Sequence, residues 1–477
     1  MSTEVLSNEY LMKKRNQMFL ASCIALIATA MTFAIRGDIM GVLGSEFALS
    51  KEQIGLIAGT AFWGFTISIF IGGMLCDIFG MKKILAFAFF CHIFGCIVTI
   101  LANGFGMLFA GTLLIGLANG FVEAAINPLA ATIYPDQKTA KLNSLHAWFP
   151  GGIVIGGLIA YFFGAKLNLG WQAKMATILV PTFIYGIMFL SLKLPETERV
   201  QCDVSTKDMY KEALRPLFIL WMICMIMTAS TELGTNQWLP TVMTLTTGAA
   251  GILILVWING LMAIGRLFAG PIVHKLSPPG LLIISAIFSA IGLFYMSTAN
   301  SPISGYISAT IFAIGICYFW PTMLGFTSER FPKGGALLLG MMGAVGMLSV
   351  AIVLPIMGQI NDKNTMASLP AAETKAVLEK AAELELPEAI SLLQKTEKTN
   401  IKDLPAGEMN AALVRAGDKG ISEATDIWNK ASAKGGSMSF RVMVVLPIIL
   451  IIIFSLIYLS DKAKGGYKIE RLNGNSE

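Results

Sequence analysis

The sequence predicts an all-α polytopic membrane protein, with twelve transmembrane helices in two pseudo-symmetric six-helix bundles, and three observations carry that prediction. The first is composition: 55% of the 477 residues are hydrophobic and 14% charged, with a mean hydropathy of +0.68, whereas soluble domains carry about 25% charged residues. The second is the recurrence of apolar runs of ~20 residues, each long enough as a helix to cross a hydrocarbon core of ~30 Å. Twelve can be placed, at 18–43, 54–76, 84–103, 107–134, 142–164, 173–193, 217–243, 250–273, 280–299, 303–327, 335–358 and 440–460. The third is an internal repeat. At an offset of 197 residues Gly73 aligns with Gly270, and Ile133-Tyr134-Pro135 with Arg330-Phe331-Pro332. A duplicated bundle of this kind holds its binding site between the halves, near the midplane.

The first run follows a polar head containing Lys13, Lys14 and Arg15 and is far longer than the apolar core of a secretory signal, so it reads as a retained helix. With the N-terminus inside, cytoplasmic segments hold 19 Lys and Arg, and the short external loops hold only Lys51, Lys166 and Lys174. That asymmetry predicts both termini in the cytoplasm of a cell inner membrane. The net charge of +5 is then mostly topology, and no nucleic-acid partner is read into it. The seven cysteines fall in spans or on the cytoplasmic side, which indicates no disulfide framework. No Cys/His cluster has metal-ligand spacing, so neither a metal nor an organic cofactor is expected.

The domain plan follows: an N-terminal bundle at 1–193, a cytoplasmic linker at 194–215, a C-terminal bundle at 216–360 plus 440–461, and a tail at 462–477. Residues 361–439 stand apart, with 22 of 79 residues charged. Charged and apolar residues alternate at helical spacing over 371–384, 387–396 and 422–433, with Pro387, Pro405, Gly407, Gly417 and Gly420 as breaks. A small soluble helical insertion outside the membrane, between helices 11 and 12, is expected.

Between runs 2 and 3 stands Gly73-Met-Leu-Cys-Asp77-Ile-Phe-Gly80-Met-Lys82-Lys83. The glycines permit a tight turn and close helix contact, Asp77 can meet donors at a neighbouring helix N-terminus, and the lysines anchor the cytoplasmic face. This string resembles the signature of the major facilitator superfamily, and the likeness covers the chain except the insertion. It implies a gate latch here. The second-half copy keeps Gly265, Arg266 and Gly270 but has His274 in place of the acid, so Asp77 and Arg266 are expected to act in conformational change rather than on substrate.

Glu123 lies near the middle of run 4, where a carboxylate is costly and marks ion, proton or substrate handling by default. Asn119, Glu123 and Asn127 are spaced i, i+4, i+8 and form one polar stripe. Burial disfavours the charge of a carboxyl, so it can take up and release a proton. Glu123-Ala-Ala-Ile-Asn-Pro128, followed by Leu142-Asn143, is similar to the fourth span of the fucose/proton symporter family, and Asp38 resembles the acid of that family's first span. The resemblance implies proton coupling and sugar binding for Glu123 and Asp38.

Arg36 precedes Asp38 by two residues and faces another way on a regular helix, so it needs a different acid, Glu123 or Glu232, or else an anionic substrate. Glu232 aligns with Ile35 at the repeat offset and shares a face with Asn236. Amides offer hydroxyls both donor and acceptor, and aromatic rings pack on the apolar face of a pyranose. Asn236, Gln237, Trp257, Asn259 and Trp320, the repeat mate of Glu123, are therefore sugar-ligand candidates beside Arg36, Asn119, Asn127 and Glu232. His146 joins them, and His92, with no polar companion in its run, is set aside.

These residues predict no enzyme. The expected protein is a monomeric proton-coupled importer of a monosaccharide or related polyol, working by alternating access in the lipid bilayer. The alternatives are a carrier of an organic anion such as a sugar acid, held by Arg36, and a membrane sensor with a facilitator fold.

Overall fold

The computed structural model describes residues 8–47, 49 and 51–472; the Lys51 side chain and the tail after 472 lie outside the described residues. Spans 1 to 6 run Glu9–Met40, Gly55–Phe79, Met81–Ile100, Phe105–Ile133, Lys138–Gly164 and Trp171–Ser191. Spans 7 to 12 are Pro216–Thr247, the pair Gly251–Leu267 and Ala269–Leu276, Pro278–Met296, Pro302–Arg330, Pro332–Ser368 and Ser422–Ala463. Among the described residues twelve spans result when the pair counts as one. Its two pieces meet at 65°, which the continuous run does not announce. Pro271 supplies the cause, since its ring lacks an N–H and collides with the carbonyl four residues back, at Leu267.

Spans 11 and 12 outrun their apolar stretches. Residues 361–368 and 422–439, assigned above to the soluble insertion, continue those spans as helix. Falling hydropathy ends a membrane run, but only a breaker ends a helix, and here the breaks come at Leu369-Pro370 and near Gly420. A Cβ on Gly435 would meet Thr365 and Asn361, and one on Gly436 would meet Val242, so the extension of span 12 lies flush on spans 7 and 11. Between the extensions, helices Ala371–Glu383, Pro387–Thr396 and Ala406–Asp418 close on their own core of Leu378, Leu392, Met409 and Leu413.

Small residues set the spacing within each half. Gly120 of span 4 stands where a Cβ would fall 2.0 Å from Ser68 Oγ and 2.5 Å from Phe65 O of span 2. Gly95 of span 3 and Gly292 of span 9, again 197 residues apart, each press on the helix that follows, near Ile115 and Phe312. The repeat read from Gly73 and Gly270 is therefore also a repeat of packing.

The halves meet at the end that carries the linker. Gly73 of span 2 lies against Ala336 O and Gly340 of span 11, and Gly325 of span 10 against Thr139 of span 5. The Thr139 backbone N–H and Oγ1 both donate to Glu329 Oε1, at 3.0 and 2.7 Å, and Lys138 Nζ donates to Ser328 O at 3.3 Å. At the signature turn Gly80 takes φ +84°, the left-handed region, and Lys82 donates to Leu190 O at 2.8 Å. Asp77 accepts from Thr197 Oγ1 at 2.5 Å and from Arg199 Nε at 2.8 Å, both linker side chains rather than the N–H groups of a helix terminus.

Gly120→Ala is expected to destabilise the fold by about 1–3 kcal/mol through overpacking. Gly157→Ala, inside a helix where nothing lies within 4 Å, is expected to be neutral or to stabilise by up to about 1 kcal/mol. Thermal unfolding of the detergent-solubilised variants reads the contrast, and equal effects would refute this account of the span 2–span 4 contact.

Candidate functional site

Arg266 anchors the centre. It stands one residue before the end of the first piece of span 8, is 2% exposed, and spreads its guanidinium over three other spans. Nε donates to Cys317 O of span 10 at 2.5 Å, Nη1 to His146 O of span 5 at 3.1 Å, and Nη2 to Glu232 Oε1 of span 7 at 2.8 Å. The Glu232 pair is buried on both sides. Span 7 is locally widened to a π-turn over Ser230–Gly234, which turns Glu232 into this contact. Such bulges interrupt helices mostly at functional positions.

Glu123 approaches the same cluster from the first half. It is 1% exposed, its Oε2 has no hydrogen-bond partner among the described residues, and the Asn127 side chain, Trp320 and Arg266 lie around its carboxyl. The Trp320 ring fills the space beside Gly346 of span 11, so that glycine sets how near the indole stands. Asn127 Oδ1 is bonded to His146 Nε2 at 2.9 Å, and Asn143 Nδ2 donates to Thr322 Oγ1 across the halves at 3.1 Å. Glu123, Asn127, His146, Glu232, Arg266 and Trp320 are thus brought together from both bundles.

Other candidates fall elsewhere. Asn119 donates to Thr32 Oγ1 at 2.8 Å and accepts from His92, whose other ring nitrogen meets the Tyr185 hydroxyl, both also at 2.8 Å. His92, set aside for want of a companion, therefore has two, and they sit on spans 4 and 6 where no local pattern connects them to it. Asp38 pairs with Lys174 at 2.6 Å on a partly exposed surface. Asn259 bonds its own helix at Leu255 O, Gln237 is exposed, and Trp257 donates to Thr310 at an exposed position. Near Glu232, Asn236 Oδ1 and Trp238 Nε1 are buried atoms without partners.

The pairing expected of Arg36 does not form. Glu232 belongs to Arg266, and Arg36 lies buried with its guanidinium 5.1 Å from the Phe33 ring centroid and no acid partner among the described residues. Geometry explains this. Thr32 and Asn119 bond each other on antiparallel spans, Arg36 follows Thr32 by one turn and Glu123 follows Asn119 by one turn, so the two charges lie about 12 Å apart along the bundle.

The family model described as Major Facilitator Superfamily matches residues 18–354. The chain belongs to the Major Facilitator Superfamily. Within it, the chain is similar to the cis,cis-muconate transport protein of Acinetobacter baylyi, at 24% identity over 356 residues, covering 68% of this chain and 84% of that one. The putative niacin/nicotinamide transporter NiaP of Bacillus subtilis is 22% identical over 320 residues, covering 64% and 78%. Among solved structures, the proton:xylose symporter XylE superposes with a TM-score of 0.67 at 14% identity, covering 94% of this chain and 96% of that one. The Escherichia coli fucose:proton symporter FucP superposes at 0.60 with 13% identity, covering 91% and 98%. At these identities the structures establish the superfamily fold, with the central cluster between its two bundles.

Replacing Arg266 by Met strands Glu232 as a buried, unpaired acid and is expected to cost about 3–5 kcal/mol. The double variant R266M/E232Q is expected to recover a substantial part of that loss in denaturant unfolding. A single variant no less stable than the double would show that the pair is not what holds spans 7 and 8 together.

Proposed function

We propose that this superfamily transporter is a proton-coupled importer of a monosaccharide or related polyol, with Glu123 as the coupling carboxyl. The observation that carries the reading is Glu123 itself, a buried acid with one free oxygen, on the first half, facing Arg266 of the second. Arg266 already has Glu232 as its ion-pair partner in its own half, so its attraction to Glu123 acts across the interface at longer range, with no ion pair formed between them. Protonation of Glu123 removes that attraction, and the loaded carrier then opens at the linker end more readily than the unprotonated one. Two bundles rocking about the central cluster supply the motion.

The partnerless Asn236 Oδ1 and Trp238 Nε1 support a hydroxylated solute, since a buried polar atom is costly until something bonds it. In this reading the protein sits in the cell inner membrane as a monomer, with both termini and the linker in the cytoplasm and the helices between spans 11 and 12 outside. One observation favours a second reading: Arg36, buried with no acid partner among the described residues, suits the carboxylate of an organic anion, and the muconate transport protein is named for one.

Proteoliposomes with an imposed pH gradient test both. Glu123→Gln is expected to abolish gradient-driven accumulation of a radiolabelled monosaccharide while leaving counterflow within about threefold of wild type, because exchange of solute for solute needs no net movement of a proton. Accumulation at the wild-type level in that variant refutes the coupling role. Arg36→Ala is expected to leave monosaccharide flux within about threefold; uptake of dicarboxylates alone, lost in Arg36→Ala by tenfold or more, would establish the second reading instead.

A further inference from the structure

The last described residues fold back onto the linker end and grip the side chain that closes it. The chain leaves span 12 at Ala463 and reverses through Gly465 and Gly466, whose φ values of 91° and 105° suit glycine. It then lies against the end of span 10. The Tyr467 hydroxyl donates to Glu329 Oε2 at 2.6 Å and the Glu470 backbone N–H to Glu329 O at 2.8 Å. The Tyr467 ring stands 5.9 Å from that of Phe326, with the Arg330 guanidinium 4.8 Å from its centroid. Burial first, and then the charge of Glu329, push the Tyr467 phenol well above its ordinary pKa, so it donates at any physiological pH.

Glu329 makes this grip consequential. Its other oxygen, Oε1, receives the Thr139 N–H and hydroxyl from the first turn of span 5, in the opposite half. One buried carboxylate is thus held at Oε2 by the tail and at Oε1 by the facing bundle. A second link, Arg471 to Asp136 at 3.0 Å, crosses the halves directly, but both partners are exposed and such pairs contribute little. Arg215 fixes the tail from the side, meeting Glu470 at 3.2 and 3.3 Å.

We propose that residues 465–471 form a latch: Tyr467 orients Glu329 to receive span 5, and release of the tail shifts the carrier toward the state open at the linker end. The latch rests on the two-bundle rocking described above. Tyr467 is a positioning residue and touches no substrate.

The test uses the full-length carrier with the half-exposed Cys202 replaced by serine, spin-labelled at Ser191→Cys and Lys275→Cys, exposed positions of opposite halves at the linker end, with the distance distribution read by pulsed electron paramagnetic resonance. Tyr467→Phe removes one hydrogen bond to a charged group, and the long-distance population is expected to rise about three- to tenfold over the parent. Truncation after Lys464 is expected to raise it at least as far, and Arg471→Ala to leave it within about twofold. A distribution unchanged in Tyr467→Phe overturns the latch, whatever the truncation does to folding. A larger shift in Arg471→Ala than in Tyr467→Phe overturns it too, since closure would then run through the surface pair. No substrate or gradient enters the measurement, so failure of the latch and failure of the transport reading are separable.

Discussion

The fold turns on one buried guanidinium. Removed from water, Arg266 must find acceptors for its donors, and it finds them on spans 5, 7 and 10. Each acceptor constrains its surroundings. The Cys317 carbonyl places Trp320 three residues on, beside Glu123, and Glu232 reaches the guanidinium from a span that widens to a π-turn there. Of the three bonds, only that to His146 O crosses between halves. The two that stay in the second half fix the guanidinium in its own bundle, and a single bond ties it to the other.

The linker-end closure divides its work differently. Asp77 fastens the linker, through Thr197 and Arg199, to its own half, while Gly73 and Gly340 let spans 2 and 11 touch backbone to backbone. Contacts between small residues can separate without stranding polar groups. The costly polar contact is concentrated at Glu329, where Thr139 docks. Close backbone approach and polar docking are thus carried by different residues at this end.

Much of this was legible because it is local or periodic. Twelve apolar runs, the 197-residue repeat and the Gly80 turn follow from hydropathy, register and glycine chemistry, and the stripe of Asn119, Glu123 and Asn127 from helical spacing. What escaped depends on partners far apart in the chain. Arg266 stands 34 residues from Glu232 and 120 from His146, and His92 stands 93 from Tyr185, so no window contains both members. The stripe itself splits: Asn119 is consumed by Thr32 and His92, whereas Glu123 and Asn127 face the centre. The ends of spans 11 and 12 escaped for another reason, since hydropathy reports where the bilayer stops and helix breakers report where the helix does.

The separation of Arg36 from Glu123 bears most on how the coupling proposed above would run. Had the two paired, protonating Glu123 would have freed Arg36, and proton and anion would have shared one site. The Thr32–Asn119 bond instead stands between them, with Arg36 on one side and Glu123 with Arg266 on the other. A solute near Arg36 and a proton on Glu123 are then about 12 Å apart along the bundle and cannot compete for the same atoms. Any coupling between them must pass through a change that both bias. The shared element is the seam between the halves, which Glu123 meets at Arg266 and which a solute held by residues of both bundles would also draw together. Linkage through a common two-state interface, rather than exchange at a common ligand, is what this spacing allows.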